Sequence, residues 1–411
     1  MSSLQPVRGT HDLLPEDCRR HRFVEETVFS VVKRYGYGEI ATPVFEFTEV
    51  FARTLGETSD VVTKEMYTFT DRSGESITLR PEGTAGVARA FISGGLAQSL
   101  PLKLFYRGPM FRHERPQKGR QRQFHQVGVE LLGVETPQAD IEVVSMAWRG
   151  LQALGLGDKV QLELNTLGDT ESRAAYRDAL VAYLEPFRAA LSEDSRARLD
   201  KNPMRVLDSK DDNDKRIVAG APLIQDCLTP GAREFFARVI GGLTALGVPF
   251  TVNPKLVRGL DYYCHTAFEF TTTALGAQGT VLAGGRYDGL IGQMGGPATP
   301  GIGWAAGVER LSMLVESGPE AGRPVAIIPM GDAVPALVLA DRLRAAGIAV
   351  ELGFSGNMKK RMARASKANA RFAVILGEDE AARGAVTLRD LDSGAQEEVA
   401  QGSIEERLLR S

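Results

Sequence analysis

Between Phe111 and Glu130 the chain reads Phe-Arg-His-Glu-Arg-Pro-Gln-Lys-Gly-Arg-Gln-Arg-Gln-Phe-His-Gln-Val-Gly-Val-Glu, which sets Arg112, Arg115, Lys118, Arg120 and Arg122 close together. Like charges at such density repel, and guanidinium forks match phosphate oxygens two at a time, so the natural guest of this loop is a polyphosphate. A solvated hairpin tip has the same composition. The segment that follows favours a site. In a strand, side chains alternate faces, so Phe124, Gln126, Gly128 and Glu130 point one way. An amide and a carboxylate then flank a glycine, and the spacing predicts a gap over Gly128 large enough for a small polar molecule. Tyr106, Gly108, Met110 and Arg112 share a face of the preceding segment.

The elements that must position these groups are two antiparallel strands, Leu102 to Phe111 and Phe124 to Leu132, joined by a loop that Pro116 and Gly119 interrupt. Upstream, Pro15 to Tyr35 has an apolar stripe of Val24, Val28, Val31 and Val32 at helical spacing, with Gly36 placed to end it. Arg80-Pro81-Glu82-Gly83-Thr84 leads into a helix through Ala90. Leu162 to Asn165 reads as a strand. Thr170 to Leu246 turns helical and charged, an inserted subdomain whose Asp211-Asp212-Asn213-Asp214 reads as a surface loop. Strands return at Phe250 to Val257, Ala267 to Thr272 and Val281 to Leu282. A linker at Gly318 to Gly322 precedes alternating strands and helices: Val325 to Pro329, Ile348 to Leu352 and Phe372 to Leu376, then a hairpin of Ala385 to Leu391 and Glu397 to Val399.

The chain has 411 residues, 43% hydrophobic and 25% charged, which suits a globular protein of two or three domains. No apolar run approaches membrane-spanning length, and Met1 to Asp12 lacks a signal pattern, so no membrane association is expected. Cys18, Cys227 and Cys264 are too scattered for a disulfide framework and point to a reducing cytoplasmic compartment. The five histidines show no ligand spacing, so no transition-metal site held by protein side chains is expected. With a net charge of −3, a nucleic acid would have to be met by local patches. One such patch is the row Lys360, Arg364, Lys367 and Arg371, which reads equally as a solvated basic face or as backbone contacts.

Three more clusters carry chemistry. Gly301, Gly303, Ala305 and Gly307 share one strand face, against which a flat adenine ring would fit, with Arg310 opening the next helix. The stretch has neither Walker nor dinucleotide-binding spacing. Val257-Arg258-Gly259-Leu260-Asp261-Tyr262-Tyr263 and Ala283-Gly284-Gly285-Arg286-Tyr287-Asp288 each gather an arginine, an acid and tyrosine beside glycine. Aromatic core residues with surface hydroxyls would look the same. No Ser-His-Asp arrangement or plausible thiol nucleophile accompanies them.

Together these residues resemble the histidine–tRNA ligases (histidyl-tRNA synthetases), a class II aminoacyl-tRNA synthetase family. The Phe111 to Gln117 stretch resembles class II motif 2, Gly301 to Leu311 motif 3, and the Pro15 helix with the strand to Pro43 motif 1. Leu256 to Tyr263 and Gly284 to Asp288 are similar to the two histidine-specific signatures, and Arg8 to Asp12 and Asn202 to Asp208 are further matches. The resemblance implies an α+β fold: an antiparallel sheet flanked by helices over residues 1–318, a helical insertion at about 170–248, and an α/β anticodon-binding-like domain at 324–411. It also implies a cytoplasmic homodimer that uses ATP, Mg2+, L-histidine and the tRNA for histidine. Histidine is first joined to AMP with release of pyrophosphate, then passed to the tRNA. By motif position, the catalytic residues are Arg112 and Arg258, and ATP is held by Arg112, Arg120, Arg310 and Glu114. Glu82, Thr84 and Gln126 take the backbone end of histidine, while Glu130, Tyr262 and Tyr263 take its ring. Gln117 and Gln121 at the loop tip, with Lys360 and Arg364, meet the tRNA. The rival reading is a non-catalytic relative resembling the regulatory subunit of ATP phosphoribosyltransferase, a group expected to lack the C-terminal domain.

Overall fold

The computed structural model describes residues 4–55, 61–257, 262–276, 279–316, 318 and 321–410. The chain divides into two compact units, Met1–Gly318 and Pro319–Ser411. In the first, the strands are β1 (Gly38–Glu39), β2 (Phe45–Phe47), β3 (Tyr67–Thr70), β4 (Ser76–Leu79), β5 (Leu102–Phe111), β6 (Gln123–Leu132), β7 (Gln161–Thr166), β8 (Thr251–Val252), β9 (Cys264–Thr271), β10 (Thr280–Arg286) and β11 (Gly301–Gly307). Eight strands make one sheet in the order β1-β5-β6-β11-β10-β9-β7-β8, antiparallel except at the edge pairs β1/β5 and β7/β8. A separate sheet has the order β2-β4-β3.

The helices are α1 (Pro15–Val32), α2 (Thr48–Leu55), α3 (Thr84–Ser93), α4 (Pro137–Ala153), α5 (Thr170–Leu184), α6 (Glu193–Lys201), α7 (Asp212–Val218), α8 (Pro230–Ala245), α9 (Leu290–Gln293) and α10 (Val308–Leu314). Helix α1 begins with Pro15, whose missing N–H costs nothing there, and carries Glu16 and Asp17 in its first turn. A short 3-10 turn then ends at Gly36, whose φ of +83° suits glycine. Val24 and Val28 of this helix, Val143 and Val144 of α4, Val127 and Val129 of β6, and Phe268 of β9 form the main core on one face of the sheet. A second core, with Phe51 and Leu55 of α2, Phe91 of α3, Leu132 of β6 and Ala267 of β9, lies beside the cleft.

The insertion has its own core of Tyr176, Leu180, Leu184, Leu191, Leu199, Val206 and Ile224. Helix α8, grouped with the insertion by charge and helicity, packs Phe236, Val239 and Leu243 into the main core instead. The acidic run at 211–214 is not a surface loop either. Asp211 caps α7 by accepting from the backbone N–H groups of Asn213 and Asp214. Asp214 is buried, and its carboxylate accepts from the hydroxyls of Ser192, Ser195 and Ser209. These hydrogen bonds outweigh burial and hold its pKa down to about 2. Between β2 and β3, Val61–Glu65 forms one turn of π-helix.

The second unit consists of β12 (Val325–Pro329), α11 (Ala333–Ala345), β13 (Val350–Leu352), α12 (Met358–Lys367), β14 (Phe372–Leu376), β15 (Ala385–Asp390) and β16 (Gln396–Ala400), with two further short helices. Its sheet order is β13-β12-β14-β15-β16. The helical crossovers make β13, β12 and β14 parallel, and the last two strands return as an antiparallel hairpin. No helix among the described residues is long and apolar enough to cross a membrane.

Candidate active site

A cleft of about 390 Å³ opens over β6, β11 and β10, lined at one end by arginines and at the other by carboxylates and phenols. The hairpin of β5 and β6 is in full register from Leu102/Leu132 to Phe111/Gln123, which carries the loop of residues 112–122 beyond the sheet. The loop is tied down on three sides. His113 N–H donates to the Glu65 carbonyl at 2.7 Å, Arg122 N–H to the Gly9 carbonyl at 2.7 Å, and Gln117 and Arg120 exchange backbone bonds at the tip. Gly9, at φ +86°, packs so closely on Pro116 and Arg122 that a Cβ would lie 2.8 Å from the proline ring.

Three guanidinium groups meet at the arginine end. Arg112 donates through Nε to the Pro81 carbonyl at 2.9 Å and lies over the Phe124 ring at 5.4 Å. Glu114 is ion-paired with Arg120 at 2.6 Å and, more distantly, with Arg112 at 3.8 Å. Arg310, from α10, donates to the Gly119 carbonyl at 2.9 Å and the Thr280 carbonyl at 2.6 Å. Burial, and then the charge of Arg120, lower its pKa. Glu114 thus stands among three guanidinium groups, whose forks match the oxygens of a polyphosphate. Arg115 and Lys118 point to solvent, and Arg122 donates to the Glu114 carbonyl at 3.3 Å. Of the five loop cations, then, Arg112 and Arg120 line the cleft.

At the other end Glu130 is only 1% exposed. Its carboxylate accepts from the Thr84 hydroxyl at 2.7 Å and from the Tyr287 hydroxyl. Burial dominates and raises its pKa to about 8, opposed by those two bonds and assisted by Glu82. Glu82 is buried at the start of α3, where its carboxylate accepts from the backbone N–H groups of Thr84 and Ala85 at 2.7 and 2.8 Å. Burial raises its pKa as well. Tyr262 and Tyr263 are buried with ring centroids 4.6 Å apart, and Tyr262 meets Tyr287 edge-on at 5.8 Å. The Gln126 side-chain oxygen is buried without a hydrogen-bond partner and faces the cleft.

The glycines serve neighbours more than a guest. A Cβ on Gly128 would fall 2.4 Å from the Tyr106 hydroxyl oxygen, so the gap expected there is filled by that phenol from β5. Tyr106 also abuts Gly83, Tyr287 lies on Gly301, and the Glu130 carboxylate occupies the space over Gly303. Of the small face of β11, Gly303, Ala305 and Gly307 line the cleft, while Tyr287 covers Gly301.

Arg112, Arg120, Arg310, Glu114, Glu82, Thr84, Gln126, Tyr262 and Tyr263 thus line one cleft, and Glu130 is buried behind its Thr84 and Tyr287. Gln121 lines its rim, whereas Gln117 is exposed at the loop tip and faces a second cleft behind it. Arg258 lies outside the described residues. Lys360 and Arg364 are on α12 in the second unit; Lys360 is exposed, and Arg364 donates to the Ser355 carbonyl at 3.0 Å. The basic row stops at Lys367, where α12 ends; Arg371 instead pairs with Asp390 and Asp392 at 2.8 Å. The second Arg/Asp/Tyr cluster splits in two. Arg286 is fully buried and paired with Asp140 and Asp288, a structural knot, while Tyr287 enters the site. Tyr287 and Lys210 of the insertion are cleft residues that sequence reasoning did not assign. Tyr287 had a signal, its place in a histidine-specific signature; Lys210 lies just past the match ending at Asp208.

The family described as Histidyl-tRNA synthetase matches residues 9–311, and that described as Anticodon binding domain matches 324–411. The histidine–tRNA ligase of Rhodospirillum rubrum is 66% identical with full coverage of both chains. That of Gluconacetobacter diazotrophicus is 59% identical over 98% of each. The apo histidyl-tRNA synthetase of S. aureus superposes with a TM-score of 0.82 at 36% identity, covering 98% of this chain and 99% of that one. The chain belongs to the histidyl-tRNA synthetase family.

Proposed function

We propose that this chain joins L-histidine to its tRNA at the expense of ATP, and that the cleft performs the activation step. The histidine carboxylate attacks the α-phosphorus; a new oxygen–phosphorus bond forms and pyrophosphate leaves with its electron pair. A terminal ribose hydroxyl of the tRNA then attacks the acyl carbon and AMP departs. ATP use follows from membership of a class II synthetase family, and Mg2+ enters as the counter-ion of that substrate. The observation that carries the reading is one cleft with an excess of guanidinium at one end and the buried Glu130, Thr84 and Tyr287 network at the other.

In this reading Arg112 takes the α-phosphate, and Arg120 and Arg310 take the outer phosphates, with Glu114 holding Arg112 and Arg120 in position. Arg258 supplies a further positive charge at the α-phosphate by motif position. Such chemistry needs alignment and charge rather than a protein nucleophile. The unpartnered Gln126 oxygen suits the ammonium group of the amino acid, with Glu82 and Thr84 beside it. Glu130 and Tyr263 face the imidazole, flanked by Tyr262. A ring N–H donor would add to the hydrogen bonds that Glu130 already accepts from Thr84 and Tyr287, and an apolar analogue would offer none. Gln117, Gln121, Lys360 and Arg364 are assigned to the tRNA. The chain is expected to act as a cytoplasmic homodimer; Phe45, Phe47 and Phe69 of the three-stranded sheet, each about half exposed, offer an apolar face for a second copy. The test is exchange of labelled pyrophosphate into ATP. Exchange that depends on L-histidine is expected; histidine binding without exchange would favour the regulatory reading.

A further inference from the structure

Behind the loop a second cleft is lined by His11, Asp17, His21, Gln117, Arg120 and Glu309. His21 comes from α1, His125 from β6 and Glu309 from α10, so three elements distant in sequence converge there. One possible ligand atom from each lies within 4.8 Å of the others, the one such group among the described residues. His125 Nδ1 is 2.9 Å from Glu309 Oε1, and the His125 backbone N–H donates to both carboxylate oxygens. The carboxylate is therefore fixed in place. His21 is 9% exposed, and its Nδ1 is buried with no hydrogen-bond partner. Its ring meets that of His125 edge-on at 5.4 Å.

We propose that His21, His125 and Glu309 bind one divalent transition-metal ion of the zinc type. Two imidazoles and one carboxylate make a donor set that zinc prefers and magnesium does not. Donors around a tetrahedral zinc stand about 3.3 Å apart, so the Nδ1–Oε1 pair already has near-ligand spacing, and a modest turn of His21 closes the triangle. The ion replaces the proton that His125 shares with Glu309, and that proton goes to solvent. The cleft supplies water for the fourth position. Once bound, the ion would pin α1, β6 and α10 together directly beside Arg310.

The experiment uses tag-free full-length protein, stripped with chelator and titrated with Zn2+ in the absence of free histidine, which would compete for the metal. Cobalt absorption bands report the donor set. One equivalent of bound metal is expected. His21→Ala and His125→Gln should each weaken binding by about tenfold or more and remove the cobalt bands. Alkylation of Cys18 beforehand should change nothing. Circular dichroism of each variant separates lost binding from lost fold, and His21→Phe serves if the alanine variant unfolds. No binding by the unaltered protein, binding unchanged in the folded histidine variants, or binding lost on alkylation would each overturn the proposal.

Discussion

At one end of the cleft Glu130 is buried among phenols, with both carboxylate oxygens already accepting hydrogen bonds. At the other, Glu114 is partly exposed and outnumbered by Arg112, Arg120 and Arg310. The same residue type thus does opposite work. A buried acid with a raised pKa is costly to ionise, so it rewards only a partner shaped to meet it. A carboxylate among surplus cations orients them without cancelling their charge. Selectivity should therefore concentrate at Glu130, and affinity for phosphate should be spread over several arginines.

The sharpest way to break this contrast is to remove Glu130. Glu130→Ala should lower histidine-dependent exchange by about a thousandfold in kcat/KM with little change in the KM for ATP. A similar rise in both KM values would abolish the division of labour. Arg112→Ala should cost about a hundredfold in kcat while leaving histidine binding, measured by calorimetry, nearly intact. Tyr287→Phe removes one hydrogen bond to Glu130 and should raise the KM for histidine about tenfold. Lys360→Ala with Arg364→Ala should raise the KM for tRNA several-fold, less at higher salt, and spare pyrophosphate exchange.

A stability measurement tests the burial argument separately. The folded-state pKa of Glu130 is about 8, raised from an ordinary value of 4.5. Between those values the folded chain keeps a proton that the unfolded chain has lost, so the unaltered protein loses stability as pH rises through that window. Glu130→Gln cannot ionise. Its Tm relative to the unaltered protein should therefore climb from pH 4.5 to 8, and a constant difference would contradict the raised pKa.

Much of the fold was legible because the signals were local. Alternation over Leu102 to Leu132 set the hairpin and the shared face of Gln126 and Glu130, and the valine stripe with Pro15 and Gly36 bounded α1. The acidic run at 211–214 was misread because composition reports charge and not partners. Three serine hydroxyls from other turns turn Asp214 into an interior group. Arg286 failed likewise. Its neighbours in sequence suggested a binding cluster, but Asp140, far away on α4, takes its charge.

The sequence by itself determined the chemistry on offer: an arginine-rich hairpin loop, a carboxylate two positions beyond a glycine, and signatures that resemble a single amino-acid specificity. Only the tertiary structure decided who fills the spaces. A glycine announces that something needs room, and the claimant comes from another strand: Tyr106 over Gly128, Glu130 over Gly303, Tyr287 over Gly301. Side-chain alternation fixes a direction along one strand, whereas occupancy of a gap depends on register across several. That is why Tyr287, and not the glycine floor, became the partner of Glu130.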